Sequence, residues 1–599
     1  MNLVETVRAT RRILDRPTQR ALVLATIATV IIALFDTVAI ALVLPLVTIA
    51  SGAEDTSGVG SWVASMLGDP DPRTLVIIMT SAVVTLFILK DFGAIAYTWW
   101  LTSFKVLKRV ELSTRLLQHF LRTPYTQVSR RSSAELLRTM NDAVVQFYNT
   151  TVFGLMTLVS NVASLIAIAI ALLVSAPLPS LALGAYFAVA TFFYLHVMKP
   201  RSIQAGKVAV EASSAAYRTA FAALGAIKEA KLRGSQPFFV ERYREASLRG
   251  AYASRTAGFI SAIPRYLLEI LFILAVGLLL LSSTLLADGA GEGLGVLALF
   301  VAAGLRALPA VTSLVGQVSN VRFGAGFVDI VLTEVQAEQH HVFIDGDNES
   351  APVSFDNAVV LEGVSFTYPD ASVPAVSSLN LVIPHGSSIA IVGSSGAGKT
   401  TLVDLILGLH RPSEGRISID GQDIEDNLTA WQRVVGYVPQ EVFLQEATLA
   451  ENVAFDQTAD QIDPSKLYKA IERAQLEDVV ASFEEGLWEP IGERGSRLSG
   501  GQRQRIGIAR AIYQEPHLLV LDEATSALDN ETEHRVSEAI RELHGELTMV
   551  IVAHRLSTVR HVDTVVLMHE GQIEAIGTFE EVRRLSPRFA RMVQFGSLS

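Results

Sequence analysis

Six long apolar runs dominate the first 320 residues, at roughly 21–48, 75–102, 151–175, 179–198, 258–286 and 293–320. About 20 apolar residues suffice for a helix to cross ~30 Å of hydrocarbon, so each run is read as a membrane span. Between the spans the pattern changes character without breaking up. The 103–150 and 199–257 segments are polar enough for water yet poor in Gly and Pro. They also far exceed the 2–8 or so residues of ordinary helix connections. Leu112, Leu116 and Phe120 recur at i, i+4 and i+8, with Leu117 and Leu121 beside them, and 209–226 is nearly all helix-forming. This spacing predicts that spanning helices continue well out of the bilayer. Pro124 in one segment, and Gly234 with Pro237 in the other, break them near their tips.

Composition supports a division into two pieces. Of 599 residues, 50% are hydrophobic and only 18% charged, against about a quarter charged in a soluble domain, which excludes a wholly soluble chain. The formal charge is −11 and there is no cysteine. Disulfides, thiolate metal sites and a cysteine nucleophile are therefore excluded, and the acidic total speaks against nucleic-acid binding. Residues 1–340 carry 29 basic and 21 acidic side chains, whereas 341–599 carry 20 and 39. The first piece is the membrane part and the second reads as a globular domain. Arg8, Arg11, Arg12, Arg16 and Arg20 precede the first span, and the two long connections hold most other bases. The 49–74 loop instead has Glu54, Asp55, Asp69 and Asp71 against Arg73 alone. Basic loops stay inside, so the N-terminus and the acidic domain are expected in the cytoplasm of a multi-pass protein of the plasma or inner membrane. The first run is too long for a signal-peptide core and lacks a convincing cleavage site, so it is expected to be retained.

Six charges fall within spans, and Arg265, Glu269 and Arg306 are more informative than Asp36, Lys90 and Asp91. Arg265 and Glu269 lie four apart on one helical face, and Arg306 comes three residues before Pro309. An ionisable group at bilayer depth faces a bundle interior or a wet cavity. Two readings stay open: an internal Arg–Glu pair, or a cavity that meets an anionic headgroup. Trp62, Val63, Met66 and Leu67 fit a short amphipathic helix over 60–67 at the outer surface, or an ordinary packed loop.

The globular piece carries recognisable chemistry. The apolar strand Ile389–Val392 runs into Gly393, Ser394, Ser395, Gly396, Ala397, Gly398, Lys399 and Thr400, and a helix follows from Thr401. This strand–loop–helix order with two framing glycines is a phosphate-binding loop. Its N–H groups face phosphate oxygens, Lys399 balances their charge and the Thr400 hydroxyl suits Mg²⁺. A second apolar strand, Leu518–Leu521, ends in Asp522 and Glu523. The first carboxylate suits Mg²⁺ through water and the second an attacking water. Leu498-Ser499-Gly500-Gly501-Gln502 opens another helix, a second anion site. One nucleotide needs only one such site per chain, whereas two chains head to tail use both.

These motifs, in this order, resemble an ATP-binding-cassette exporter half-transporter along essentially the whole chain. The resemblance implies a helical polytopic membrane domain of six transmembrane helices fused to an α/β P-loop NTPase nucleotide-binding domain. The membrane domain is expected over 1–335, a linker over 336–355 and the nucleotide-binding domain over 356–599. By matching motif, Tyr368 resembles the aromatic that stacks on adenine, and Gly393–Thr401 the Walker A loop. Gln440 resembles the lid glutamine that senses Mg²⁺ and the attacking water. Ser499–Gln502 resemble the signature, and Asp522 and Glu523 the Walker B aspartate and catalytic glutamate. Asp529 lies in what looks like the loop coupling the two sites, and His554 resembles the switch histidine at the γ-phosphate. ATP and Mg²⁺ are the implied cofactors, with Thr400, Gln440 and Asp522 around the metal.

Both the signature and the glutamate are intact, which implies a homodimer with two composite ATP sites. Pro124–Ser133 and Gly225–Gly234 resemble the two coupling helices, and Gly492-Glu493-Arg494-Gly495 the exporter-specific loop that meets them. Outward transport by alternating access is implied. The stretches 226–231 and 264–269 and the Arg306–Pro309 element most resemble the branch of lipid-linked oligosaccharide flippases. An amphipathic, lipid-linked or otherwise anionic substrate touching Arg265, Glu269 and Arg306 is the expected cargo. A peptide or multidrug exporter is the alternative, and an ATP-gated channel or regulator a further one.

Overall fold

A computed structural model describes residues 3–50, 72–175, 177–286, 290–340, 353–523, 530–553 and 555–595. Contacts divide the chain into two compact units, one of Met1–Thr123 with Arg130–Val342, the other of Phe343–Ser599 with Pro124–Ser129. The division falls inside the 336–355 segment expected as linker, and a helix runs into that segment as far as His340.

The first unit is helical. Its elements are α1 (Leu3–Ile13), α2 (Arg16–Ala50), α3 (Pro72–Arg122), α4 (Tyr125–Val128, grouped with the second unit), α5 (Ser133–Arg138), α6 (Phe153–Ser175), α7 (Pro177–Gly225), α8 (Ile227–Leu232), α9 (Gln236–Leu286) and α10 (Ala290–His340). The six apolar runs fall in six separate helices, α2, α3, α6, α7, α9 and α10. Among the described residues, the segments Val76–Arg122, Ser133–Ile170 and Gln236–Leu278 are long and apolar enough to cross a membrane. The expected outer helix at 60–67 lies outside the described residues. α3, α9 and α10 each have 51 residues, about 76 Å at ~1.5 Å per residue, more than twice the hydrocarbon thickness. The excess forms the long extensions that the sequence pattern announced.

Their packing follows the i, i+4 rule only in part. Leu112, Leu116 and Phe120 are buried against Phe147, Tyr148, Val328, Val331 and Val335. Leu117 and Leu121 are exposed, so the buried stripe is one residue narrower than the run of leucines suggested. α10 is the common partner, with α6, α7 and α9 all packed along it. Close approach there requires glycine. A Cβ on Gly206 would sit 2.2 Å from the Phe323 carbonyl oxygen, and one on Gly324 2.1 Å from Thr150 Oγ1. Only residues this small let the helix backbones meet so closely. Asn161 Nδ2 donates to Ser313 Oγ at 2.7 Å and Ser202 Oγ to the Ser319 carbonyl at 2.8 Å, binding α6 and α7 to α10. Two π turns, Thr139–Ala143 and Phe147–Val152, interrupt the approach to α6.

Ion pairs fasten the far end of α10. Arg131 forks onto Glu334 through bonds of 2.9 and 2.5 Å, with its guanidinium 5.4 Å above the Phe120 ring. Arg115 grips Glu338 at 2.8 and 2.7 Å. Each glutamate holds its arginine firmly protonated, outweighing the opposing effect of burial.

The second unit is α/β. Strands β1 (Ala358–Phe366), β2 (Val376–Pro384), β4 (Glu414–Ile419) and β5 (Gln422–Asp423) form an antiparallel sheet in the order β2-β1-β4-β5. A six-stranded sheet runs β10-β9-β3-β8-β7-β6, with β3 (Ser388–Gly393), β6 (Val435–Val438), β7 (Leu518–Asp522), β8 (Thr548–Val552) and β9 (Thr564–His569) parallel, and β10 (Gln572–Gly577) antiparallel at the edge. Every residue of β3, β7 and β8 is buried, as expected for parallel strands covered on both faces. Adjacent β3, β8 and β7 deliver their C-terminal ends, Gly393, Val552 and Asp522, to one edge of the sheet, where α/β sheets bind ligands.

The Glu334 carboxylate keeps 7% of its side-chain surface in water and Arg131 29%. Glu334→Ala strands the arginine charge and should lower stability by about 2–3 kcal/mol, below the ~3–5 of fully buried pairs because Arg131 is partly hydrated. Thermal unfolding in detergent is the measurement. The double change Arg131→Met/Glu334→Leu should recover most of the loss, since neither charge is then left alone.

Candidate functional site

The phosphate loop lies between β3 and helix α11 (Lys399–Ile406). Gly396 and Gly398 adopt φ of +79° and +95°, where a side chain is strained. A Cβ on Gly398 would also lie 2.7 Å from the Ala375 carbonyl oxygen. Ser395, Gly396 and Thr400 are exposed, Ser394 is half-buried, and Ala397 and Thr401 are buried behind them. Lys399 is only 7% exposed. Its ammonium donates to the Gly393 carbonyl at 2.7 Å and the Ser394 carbonyl at 3.3 Å, so it lies coiled within its own loop. Burial pulls its pKa down, and the Glu523 and Asp522 carboxylates work against that.

Those carboxylates arrive at the end of β7. Asp522 is buried. Glu523 turns out of the strand with φ +52°, a left-handed conformation that costs a non-glycine residue of order 1 kcal/mol or more. Two bonds hold it there. Its N–H donates to the Val552 carbonyl at 3.1 Å, and Gln440 Nε2 donates to Glu523 Oε2 at 2.7 Å across 83 positions of sequence. Gln440 leaves β6 by way of Pro439, whose carbonyl accepts from Gln504 Nε2 at 3.1 Å. The structure thus brings Lys399, Gln440, Asp522 and Glu523 to one sheet edge.

Ser499–Gln502 stand apart. Ser499 caps helix α12 (Gly500–Tyr513) in a reciprocal box: Gln502 N–H donates to Ser499 Oγ at 3.3 Å and Ser499 N–H to Gln502 Oε1 at 2.8 Å. Ser499 and Gly500 are exposed. Among the described residues no hydrogen bond joins them to Gly393–Thr401. Asp529 and His554 lie outside the described residues, as does the Arg306 side chain. In the helical unit Arg265 is exposed and lines a recess with Tyr266, Thr312 and Gln317. Among the described residues it makes no ion pair, and Glu269, also exposed, does not line that recess. The i, i+4 spacing permits a pair that the side chains do not make.

Tyr368, marked by its motif, has supporting neighbours that no motif marks. Tyr368 packs edge-on against Phe366 and His410, and its hydroxyl lies 3.2 Å from Thr401 Oγ1. His410 is stacked on Phe366 at 4.7 Å and meets the ring of Tyr125 in α4 at 5.9 Å. Burial keeps this histidine neutral, and its Nε2 lies 3.5 Å from Asp404. Burial, helped by the Asp522 charge, pushes the Asp404 carboxyl up to about 6. Arg510 reaches from α12 to the Asn452 and Phe443 carbonyls at 2.9 Å each and lies 4.5 Å over the Phe455 ring. Burial lowers its pKa to about 10.

Residues 22–302 match the family described as the ABC transporter transmembrane region, and residues 376–526 the one described as ABC transporter. The chain is 32% identical over 503 residues to an ATP-dependent lipid A-core flippase of Ralstonia nicotianae, covering 82% of each protein. It is 28% identical over 538 residues to the Escherichia coli K12 protein of that name, covering 88% of this chain and 90% of the other. A bacterial Atm1-family ABC exporter solved with ATP bound superposes with a TM-score of 0.75 at 22% identity, over 97% of this chain and 99% of the other, a likeness of fold.

Asp404 offers a test of the site's electrostatics. Its folded pKa lies above the unfolded value, so the folded state holds the extra proton, and stability falls as pH rises from about 4 to about 6. Asp404→Asn should therefore raise the unfolding free energy of the second unit above pH 7 by about 2–3 kcal/mol, with the gain vanishing below about pH 4. Urea unfolding at pH 4, 6 and 8 measures it.

Proposed function

The chain belongs to the ABC transporter family as an exporter-type half-transporter, a multi-pass membrane ATPase coupled to transport, and from that premise we propose that it flips a lipid-linked saccharide or related anionic lipid as a homodimer. The lipid A-core flippases that align over most of the chain support a lipid cargo and do not favour a peptide or drug. The catalytic part of the reading rests on one observation, the Gln440–Glu523 bond beside Lys399 and Asp522.

Each residue then has a task. The phosphate-loop N–H groups and Lys399 hold the nucleotide phosphates, with the ammonium leaving its loop carbonyls to do so. Tyr368 offers a ring face to adenine. Glu523 accepts the proton of the attacking water, and Gln440 fixes the carboxylate that accepts it. Thr400, Gln440 and Asp522 are oxygen donors of the kind a hard cation takes, and Mg²⁺ held there would neutralise phosphate charge. The buried Asp522 carboxylate beside a lysine fits a site that gains a further positive charge. Asp529 and His554 keep the coupling and switch roles that their motifs imply.

Dimerisation is supported by the cap at Ser499–Gln502, where Ser499 and Gly500 are exposed. Among the described residues it makes no hydrogen bond to the chain's own phosphate loop, and the Gly500 and Gly501 N–H groups at this helix start suit an anion brought by a second copy placed head to tail. The inclusion of Pro124–Ser129 in the second unit supports α4 as a coupling helix, with Tyr125 against His410, whose ring also meets Tyr368. Basic loops favour a cytoplasmic N-terminus and nucleotide-binding domain. Arg265, Glu269 and Arg306 are the proposed cargo residues.

Glu523→Gln tests the pump. ATP hydrolysis should fall by about 10²–10³-fold, and lipid flux in proteoliposomes should fall with it. Flux at the full rate without hydrolysis would make the protein an ATP-gated channel instead.

A further inference from the structure

The helical unit contains a cavity of mixed polar and apolar lining, in two parts that share Asn320. One recess, of about 580 Å³, is lined from the segment before α6 by Gln146 and Asn149, from α7 and α9 by alanines, serines and glycines, and from α10 by Asn320, Phe323 and Phe327. The other, of about 410 Å³, continues past Asn320 to Gln317, Arg265 and Tyr266. Each falls within the ~300–1,000 Å³ of small-ligand sites. The π turns at Thr139–Ala143 and Phe147–Val152 form one wall, and such turns recur at functional sites because they re-aim side chains within a helix.

The lining has a definite chemistry. Four carboxamides, Gln146, Asn149, Gln317 and Asn320, face the cavity, and among the described residues none of their side chains makes a hydrogen bond. Each amide offers donors and an acceptor, the combination that hydroxyl groups satisfy from either side. Covering them with an apolar molecule would strip each amide of water and give it no partner in return. Phe323 and Phe327 add flat apolar faces. Charge is sparse. Arg265 is the one cation among the described lining residues, and the one carboxylate, Asp142, already accepts from Ser213 Oγ at 2.6 Å. Among the described lining residues, a headgroup phosphate finds a cationic partner in Arg265 alone.

We propose that this cavity receives the neutral glycan of a glycolipid headgroup, with the carboxamides bonding its hydroxyls and Arg265 taking a single phosphate or carboxylate. The assignment rests on the lipid-flipping reading and narrows it: the cargo is recognised mainly by sugar hydroxyls and carries one anionic group at this site.

The test uses full-length protein in nanodiscs and three lipids with the same acyl chains: phosphatidylglucoside with a sugar and one phosphate, glucosyl diacylglycerol with the sugar alone, and phosphatidic acid with the phosphate alone. Native mass spectrometry gives their relative retention. Phosphatidylglucoside should be retained over both. Asn149→Leu and Asn320→Leu should each narrow its preference over phosphatidic acid about five-fold, one hydrogen bond's worth. Arg265→Gln should narrow only its preference over glucosyl diacylglycerol. Asn149 is exposed and stands on a different segment from Asn320, so a folding defect in one variant does not excuse the other. If both asparagine variants keep the wild-type preference, the glycan assignment is wrong while lipid flipping stands. If wild-type protein retains none of the lipids and a hydrophobic peptide stimulates its ATPase, the lipid reading fails and the assignment falls with it.

Discussion

The nucleotide-binding half depends on burying one ammonium ion. Lys399 is almost wholly withdrawn from water, which is tolerable only because two loop carbonyls accept from it and two carboxylates stand close by. That requirement fixes much else. The carbonyls must point inward, so the loop needs φ values open only to glycine. The carboxylates must stand beside the loop, so β7 must be separated from β3 by the single strand β8. The ammonium bonds the loop's own carbonyl oxygens, and a phosphate would offer it stronger acceptors.

The membrane half obeys a different constraint. A chain in hydrocarbon satisfies its backbone hydrogen bonds internally, and α3, α7, α9 and α10 run on past their apolar stretches as continuous helices. What holds them together therefore changes along their length. Near Gly206 and Gly324 it is close backbone approach, and near the far end of α10 it is paired charge at Arg131–Glu334 and Arg115–Glu338. α10 takes part in every one of these contacts.

How far the sequence could be read follows from how local each determinant is. Lys399 and its glycines lie in eight consecutive residues, and Asp522-Glu523 closes an unbroken apolar strand, so both were legible. The apolar runs were legible too, because membrane thickness sets their length. Leu117 and Leu121 misled, since one turn of helix has room for an outward as well as an inward leucine. The Gln440–Glu523 bond could be expected only from resemblance, because no pattern links residues 83 positions apart. Asp404 and His410 left no trace because burial, which no single-residue pattern reports, gives them their character. The carboxamides around the cavity are scattered between 146 and 320, and only packing gathers them.

The left-handed backbone at Glu523 has an evolutionary side. Glycine there would relieve the strain, and a domain selected only for resting stability would drift toward it. The glutamate persists at a cost in stability of the order of 1 kcal/mol. With the proposed role of Glu523 in hydrolysis, position 523 is one where resting stability and turnover pull apart, and stabilising the domain for other purposes would have to begin elsewhere in the sheet.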